Sequence, residues 1–141
     1  MSMRTRLEPL ALTLLRIGTG VIMAAHGWQK IQNLPQTIEG FAGMGIPKIG
    51  VYLALAGELG GGLGLIFGLL TPLAAFGVFC TMAVAVFHVH LKNGLFAKDG
   101  GFEYPLTLAL VALYFIFRGG GPYSLDALFC RKKTGFDKVS P

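Results

Sequence analysis

Residues 51–70, VYLALAGELGGGLGLIFGLL, form a run of twenty positions in which only Glu58 can carry a charge. Twenty residues at about 1.5 Å of rise give a helix about 30 Å long, the thickness of a bilayer's hydrocarbon. A carboxylate held there costs on the order of a few kcal/mol, so it needs a partner or a task. This stretch therefore sets two questions for the rest of the chain. One is whether it contains other membrane spans, and the other is what meets Glu58.

Composition answers the first. Of 141 residues, 53% are hydrophobic and only 13% are charged, whereas soluble domains carry roughly a quarter charged residues. Apolar runs recur at 9–28, 73–91 and 103–117. The last is short for a crossing, which suits a locally thin or protein-shielded position. Only Thr71-Pro72 separates the second and third runs, and proline is tolerated in a helix's first turn, so these two form a tight antiparallel hairpin. Arg16 interrupts the first run and no A-x-A site follows it, so it reads as a span rather than a cleaved signal. The expected fold is an all-α integral membrane bundle of four transmembrane helices in a single domain over 1–129. A basic, flexible tail occupies 130–141, after an interfacial segment at 124–129.

Orientation follows from short basic flanks. Arg4, Arg6, Arg118, Arg131, Lys132, Lys133 and Lys138 fall on the side of the termini, against Lys30, Lys48, Lys92 and Lys98 opposite. Both termini are expected on the cytoplasmic side of a plasma membrane. The net charge of +5 does not indicate nucleic acid, because basic and aromatic residues do not interleave; anionic lipid headgroups are the simpler partner. Cys80 and Cys130 lie fifty residues apart with no CxxC or CxxCH, which excludes a thiol relay, a zinc knuckle and covalently attached haem. Between the first two spans, Ile38, Phe41 and Ala42 at helical spacing predict a short interfacial helix that stops at Gly43 and Gly45.

Chain direction answers the second question. Alternating spans bring His26, Lys30, Glu58, His88, His90, Glu103 and Tyr104 to one half of the bilayer, the outer one. Arg16 lies about 15 Å deeper than His26 by helical rise, yet agrees in phase with His26 and Lys30 within about 80°. Its long side chain is therefore a candidate partner for Glu58. His88 and His90 point about 200° apart, so only one can face the interior. Gly57, Gly61, Gly64 and Gly68 share a stripe suited to close helix packing, with Glu58 about 100° round from it. Bland readings stand beside these. Arg16 with Glu58 is also readable as a purely structural ion pair, Lys30 as a snorkelling cation, and Trp28 and Tyr104 as interfacial anchors. Non-covalent haem would need His26 and His90 as its pair.

The order of motifs resembles the DoxX family of small four-helix membrane proteins from about residue 14 to 126. The matching residues are Leu15-Arg16, His26-Gly27-Trp28-Gln29-Lys30, Gly40-Phe41 with Gly45-Ile46-Pro47, and Gly57-Glu58 with Gly61-Gly62. Gly68-Leu69-Leu70-Thr71, His90-Leu91-Lys92-Asn93-Gly94, Gly101-Phe102-Glu103-Tyr104-Pro105 and Tyr123-Ser124-Leu125-Asp126 complete the series. Pro72, Lys92 and His88 depart from the pattern, and the extra His88 makes His90 the better interior candidate. The resemblance implies a redox-associated, quinone-linked membrane subunit with another membrane or redox protein as partner. A non-catalytic scaffold or accessory subunit of a larger complex is the alternative. On the first reading Glu58, His90 and Glu103 are the catalytic candidates, while Arg16, His26, Lys30 and Tyr104 line a substrate-binding or polar network; no metal site is expected.

Overall fold

The computed structural model describes residues 3–134, and side chains from Leu7 to Arg131. Among the described residues every regular element is helical. We number them α1 Met3–Gln32, α2 Leu34–Gly43, α3 Lys48–Phe67 and α4 Thr71–Asn93, α5 Glu103–Arg118 and α6 Leu125–Thr134.

Among the described residues three helices are long and apolar enough to cross a membrane: Leu7–Gln32 within α1, α3, and α4, with 26, 20 and 23 residues. The remaining long helix, α5, has 16 residues, about 24 Å by helical rise, and falls short of the ~30 Å hydrocarbon. It packs along the first part of α4, and α3 lies between α1 and α4. Large apolar side chains cover the outside of the bundle as well as its core. Leu53, Leu73, Phe87 and Phe117 are exposed, whereas Arg16 and Glu58 are 1% and 4% exposed. Burying charge while presenting large apolar groups outward is the arrangement that lipid demands.

Small residues bring α3 close to both neighbours. A Cβ placed on Gly61 would stand 2.8 Å from the Ala74 carbonyl oxygen of α4, and one on Gly62 2.5 Å from the Ala24 nitrogen of α1. Gly57 faces Gly77 and Thr81 with equally little room. The expected glycine stripe is thus a packing seam against α4, and Glu58 points elsewhere. Gly68 is the exception to that stripe. It lies beyond the helix, at φ 64°, and its α-carbon faces the Arg16 guanidinium.

The boundaries differ from expectation where backbone chemistry intervenes. The second span stops at Phe67 rather than residue 70, because Gly68 and Leu70 both adopt the left-handed conformation. The first helix runs to Gln32, four residues past Trp28, and enters α2 through Asn33. The expected interfacial helix is α2, which buries none of its residues and rests on α3. At the C-terminus the helix continues to Thr134, so 130–134 of the expected tail are helical. Residues 135–141 of that tail lie outside the described residues. Single π turns interrupt α3 at Ala56–Gly60 and α4 at Ala85–His90. These are the segments that carry Glu58 and the two histidines, and such turns recur where a helix serves a functional site.

Candidate functional site

Two interior charges sit at opposite ends of the bundle, and they are not partners. Arg16 lies at the end where the α3–α4 turn meets the C-terminal helix. Its Nη1 donates to the Leu65 and Ile66 carbonyls at 2.6 and 3.1 Å, and its Nη2 to the Tyr123 carbonyl at 2.8 Å. The expected reach of Arg16 up to Glu58 is therefore wrong, and the reason is local. The chain leaves α3 at Phe67, so the last-turn carbonyls lose their helical donors and accept from the nearest buried cation. Asp126 completes this clasp. Its carboxylate accepts from the Leu70 and Thr71 amides at 2.7 and 2.8 Å, capping α4 from outside the helix. The same cap holds Leu70, whose φ of 48° is unfavourable for a side chain with a Cβ.

At the other end, where the α1–α3 and α4–α5 connections meet, Glu58 pairs with Lys30. Lys30 Nζ donates to Glu58 Oε2 at 2.6 Å, with side-chain exposures of 23% and 5%. Of the two sequence readings of Lys30, the structure takes the engaged one: its stem runs inward to the carboxylate instead of snorkelling to water. The π turn at Ala56–Gly60 carries Glu58, and Gly27 lets α1 approach within a would-be 2.7 Å of the Leu59 nitrogen. That proximity puts Lys30, one turn further along α1, within reach of the carboxylate.

A cavity of about 1140 Å³ opens beside this pair. His26, Lys30, Glu58, His90 and Tyr104 line it, and the rest of its wall is overwhelmingly apolar. His26 and Tyr104 face each other with ring centroids 6.2 Å apart. His90 Nδ1 lies 2.7 Å from the Gly100 carbonyl, so Nδ1 carries the proton and Nε2 is the acceptor nitrogen of the neutral ring. His88 is exposed, with Nε2 2.9 Å from the Met44 carbonyl, and does not line the cavity. Phe41, Met44 and Ile46, from α2 and the loop after it, also line the cavity.

Glu103 does not join the cluster. Its Oε1 accepts from the Ala97 amide at 2.6 Å, while its own amide donates to the Leu95 carbonyl at 2.9 Å. It closes the α4–α5 loop, and it lies outside the cavity lining. The cause is chain geometry: as the first residue of α5, Glu103 is met by the loop that folds back across the helix start.

The seven expected site residues thus divide three ways. Lys30, Glu58, His26, His90 and Tyr104 share one cavity, Arg16 belongs to the far clasp, and Glu103 to a loop. Asp126 was legible only as part of a motif, because a cap donated by a distant helix leaves no local spacing. Among the described residues no group of three or more His, Cys, Asp or Glu side chains is arranged to hold a metal ion.

Comparison with known proteins identifies the family. The model of the DoxX family matches residues 11–91, a stretch that contains both Lys30 and Glu58. A Bacillus subtilis (strain 168) protein named "Putative oxidoreductase CatD" is 33% identical over 123 residues, covering 86% of this chain and 90% of its own length. A Haemophilus influenzae protein of no stated function is 36% identical over 131 residues, 89% of this chain and 95% of its own. The "Inner membrane protein YqjF" of Escherichia coli (strain K12) is 29% identical over 133 residues, 90% of this chain and 98% of its own. No solved structure matches significantly. With three helices of membrane length, the chain is an integral protein of the bacterial plasma membrane, and it belongs to the DoxX family.

Proposed function

We propose that this protein is a membrane subunit of a quinone-linked redox system, and that the ion pair of Lys30 with Glu58 handles the proton that accompanies electron transfer. The observation that carries this reading is a buried carboxylate with an ammonium partner, opening onto an apolar cavity that also holds two imidazoles and a phenol. Oxidation of a quinol releases two protons and two electrons. Glu58, with His90 Nε2 as second acceptor, takes the protons; the electrons pass to a partner redox subunit, since the chain has no cysteine pair or covalent-haem motif to carry them. The name of the Bacillus relative is consistent with such a role. In this reading α5 makes a fourth crossing, both termini are cytoplasmic, and the basic residues of α6 meet anionic headgroups. Fusing alkaline phosphatase to the C-terminus tests the topology, an inactive fusion being expected.

The test of function is quinone-linked oxidoreductase activity in membranes from cells that make the parent chain, Glu58→Gln, or neither. A fall of tenfold or more in the variant, at unchanged protein level, is expected. Parent activity in Glu58→Gln removes the catalytic assignment.

One observation favours a second reading, that of an accessory subunit without chemistry. A shallow cleft of about 360 Å³ runs between α1 and α5, lined by Leu14, Gly18, Ile22, Thr107 and Val111. Gly18 faces open space there, as a seat for another protein's helix would require. Co-purification of a fixed partner, lost in Gly18→Leu while Glu58→Gln remains active, selects this reading.

A further inference from the structure

The cavity beside Glu58 does not end inside the bundle. Its wall continues onto the lipid-facing surface of α3 and α4 through Gly60, Leu63, Phe67, Leu73, Phe76 and Cys80, all of them exposed. From Glu58 to Phe67 this groove extends about 14 Å along α3 by helical rise. Gly60 keeps it deep, since a Cβ there would meet nothing within 4 Å. Its floor and sides are apolar, and its exposed residues lie on the apolar outer surface of α3 and α4.

The polar end has an unused valence. Lys30 occupies Glu58 Oε2, but Oε1 has no hydrogen-bond partner among the described residues and is not sealed off. A carboxylate has only acceptors to offer. A ligand oxygen that approaches Oε1 is attracted when it carries a hydrogen and repelled when it does not.

We propose that the groove between α3 and α4 admits, sideways from the bilayer, one long-chain amphiphile whose hydroxyl head donates to Glu58 Oε1. The class is a lipid-soluble phenol or alcohol. Applied to the quinone-linked reading, on which this refinement of the ligand rests, the site favours the hydroxyl-bearing reduced form over the carbonyl-bearing oxidised form. Selectivity lies in the head and not in the tail. Lipid chains are as apolar as the groove, so a tail moving from bilayer to groove gains nothing from the hydrophobic effect. A charge-assisted hydrogen bond in a water-poor cavity is the term left to discriminate.

The test uses the full chain in nanodiscs and para-dodecylphenol carrying a mid-chain diazirine, with labelled peptides mapped by mass spectrometry. Labelling is expected to concentrate between residues 60 and 80 and to fall at least fivefold in Gly60→Leu. Unlabelled para-dodecylphenol should compete at least tenfold better than its methyl ether, and the pair Lys30→Met with Glu58→Leu, which leaves no acceptor at the site, should abolish that preference. Leu63→Trp fills the same groove and replaces Gly60→Leu if the latter does not fold. Even labelling of all lipid-facing helices, or equal competition by phenol and ether, overturns the proposal. If labelling is as expected while Glu58→Gln retains quinone-linked activity, the site stands and the redox reading falls. If activity falls but labelling is even, the groove is refuted and the redox reading survives.

Discussion

The two ends of the bundle bury the same kind of feature in opposite ways. At one end the two terminal nitrogens of Arg16 are spent on three carbonyls, and the Asp126 carboxylate on two amides. At the other, Glu58 spends one oxygen on Lys30 and keeps the other toward a cavity. Both charges bear the penalty of leaving water; at the first, Arg16 Nε is buried without a hydrogen-bond partner, but both terminal nitrogens are engaged by backbone carbonyls. A buried ion engaged on nearly every side is an architectural device, because binding anything else would first require breaking those bonds. A buried ion with spare capacity beside an apolar opening is equipped to meet a ligand. Depth in the membrane and residue type do not separate the two cases; hydrogen-bond accounting does.

Removing the guanidinium should have the largest effect on stability. Arg16→Met removes the donor from the Leu65, Ile66 and Tyr123 carbonyls, and a buried carbonyl left without a partner costs about 1–3 kcal/mol. Its melting temperature in detergent should drop by far more than that of Glu58→Gln, and equal drops would erase the distinction between the ends. The next effect compares two glycines one turn apart on α3. Gly57→Ala forces a methyl against Gly77 and Thr81 and should destabilise by about 1–3 kcal/mol. Gly60→Ala meets open space and should be neutral or stabilising by up to about 1 kcal/mol, since alanine is the better helix former. Denaturation by a detergent series on both variants checks this. The smallest effect belongs to Glu103→Gln, which keeps an acceptor for the Ala97 amide. Stability should change by less than about 1 kcal/mol, and quinone-linked activity should stay within twofold of the parent. A tenfold loss would return Glu103 to the site.

Much of this was legible in the residues. Three of the four expected membrane spans follow from apolar run length, the hairpin from Thr71-Pro72, and the seam from glycine periodicity. The gathering of His26, Lys30, Glu58, His90 and Tyr104 follows from chain direction alone. The choice of ion-pair partner was not legible. Helical phase puts Arg16 and Lys30 on one face of α1, and it cannot say that α3 ends at Phe67, where two left-handed residues free carbonyls for Arg16. Nor does spacing disclose that Asp126 reaches across from α6 to cap α4, or that the α4–α5 loop turns back onto Glu103. Each of these is a backbone group satisfied by a side chain distant in sequence, a relation that only the folded chain fixes.

The contrast between the ends is tested most directly by replacing the working pair with apolar residues of similar size, Lys30→Met with Glu58→Leu, and measuring quinone-linked activity in membranes. Removing both charges together avoids leaving either one buried alone, and such swaps are often neutral or stabilising by about 1–4 kcal/mol. The doubly substituted chain is therefore predicted to fold, with a melting temperature at or above the parent's, and to have lost at least nine-tenths of its activity. A stable double variant that retains parent activity would contradict the account: the pair would then be structural, like the clasp at the other end.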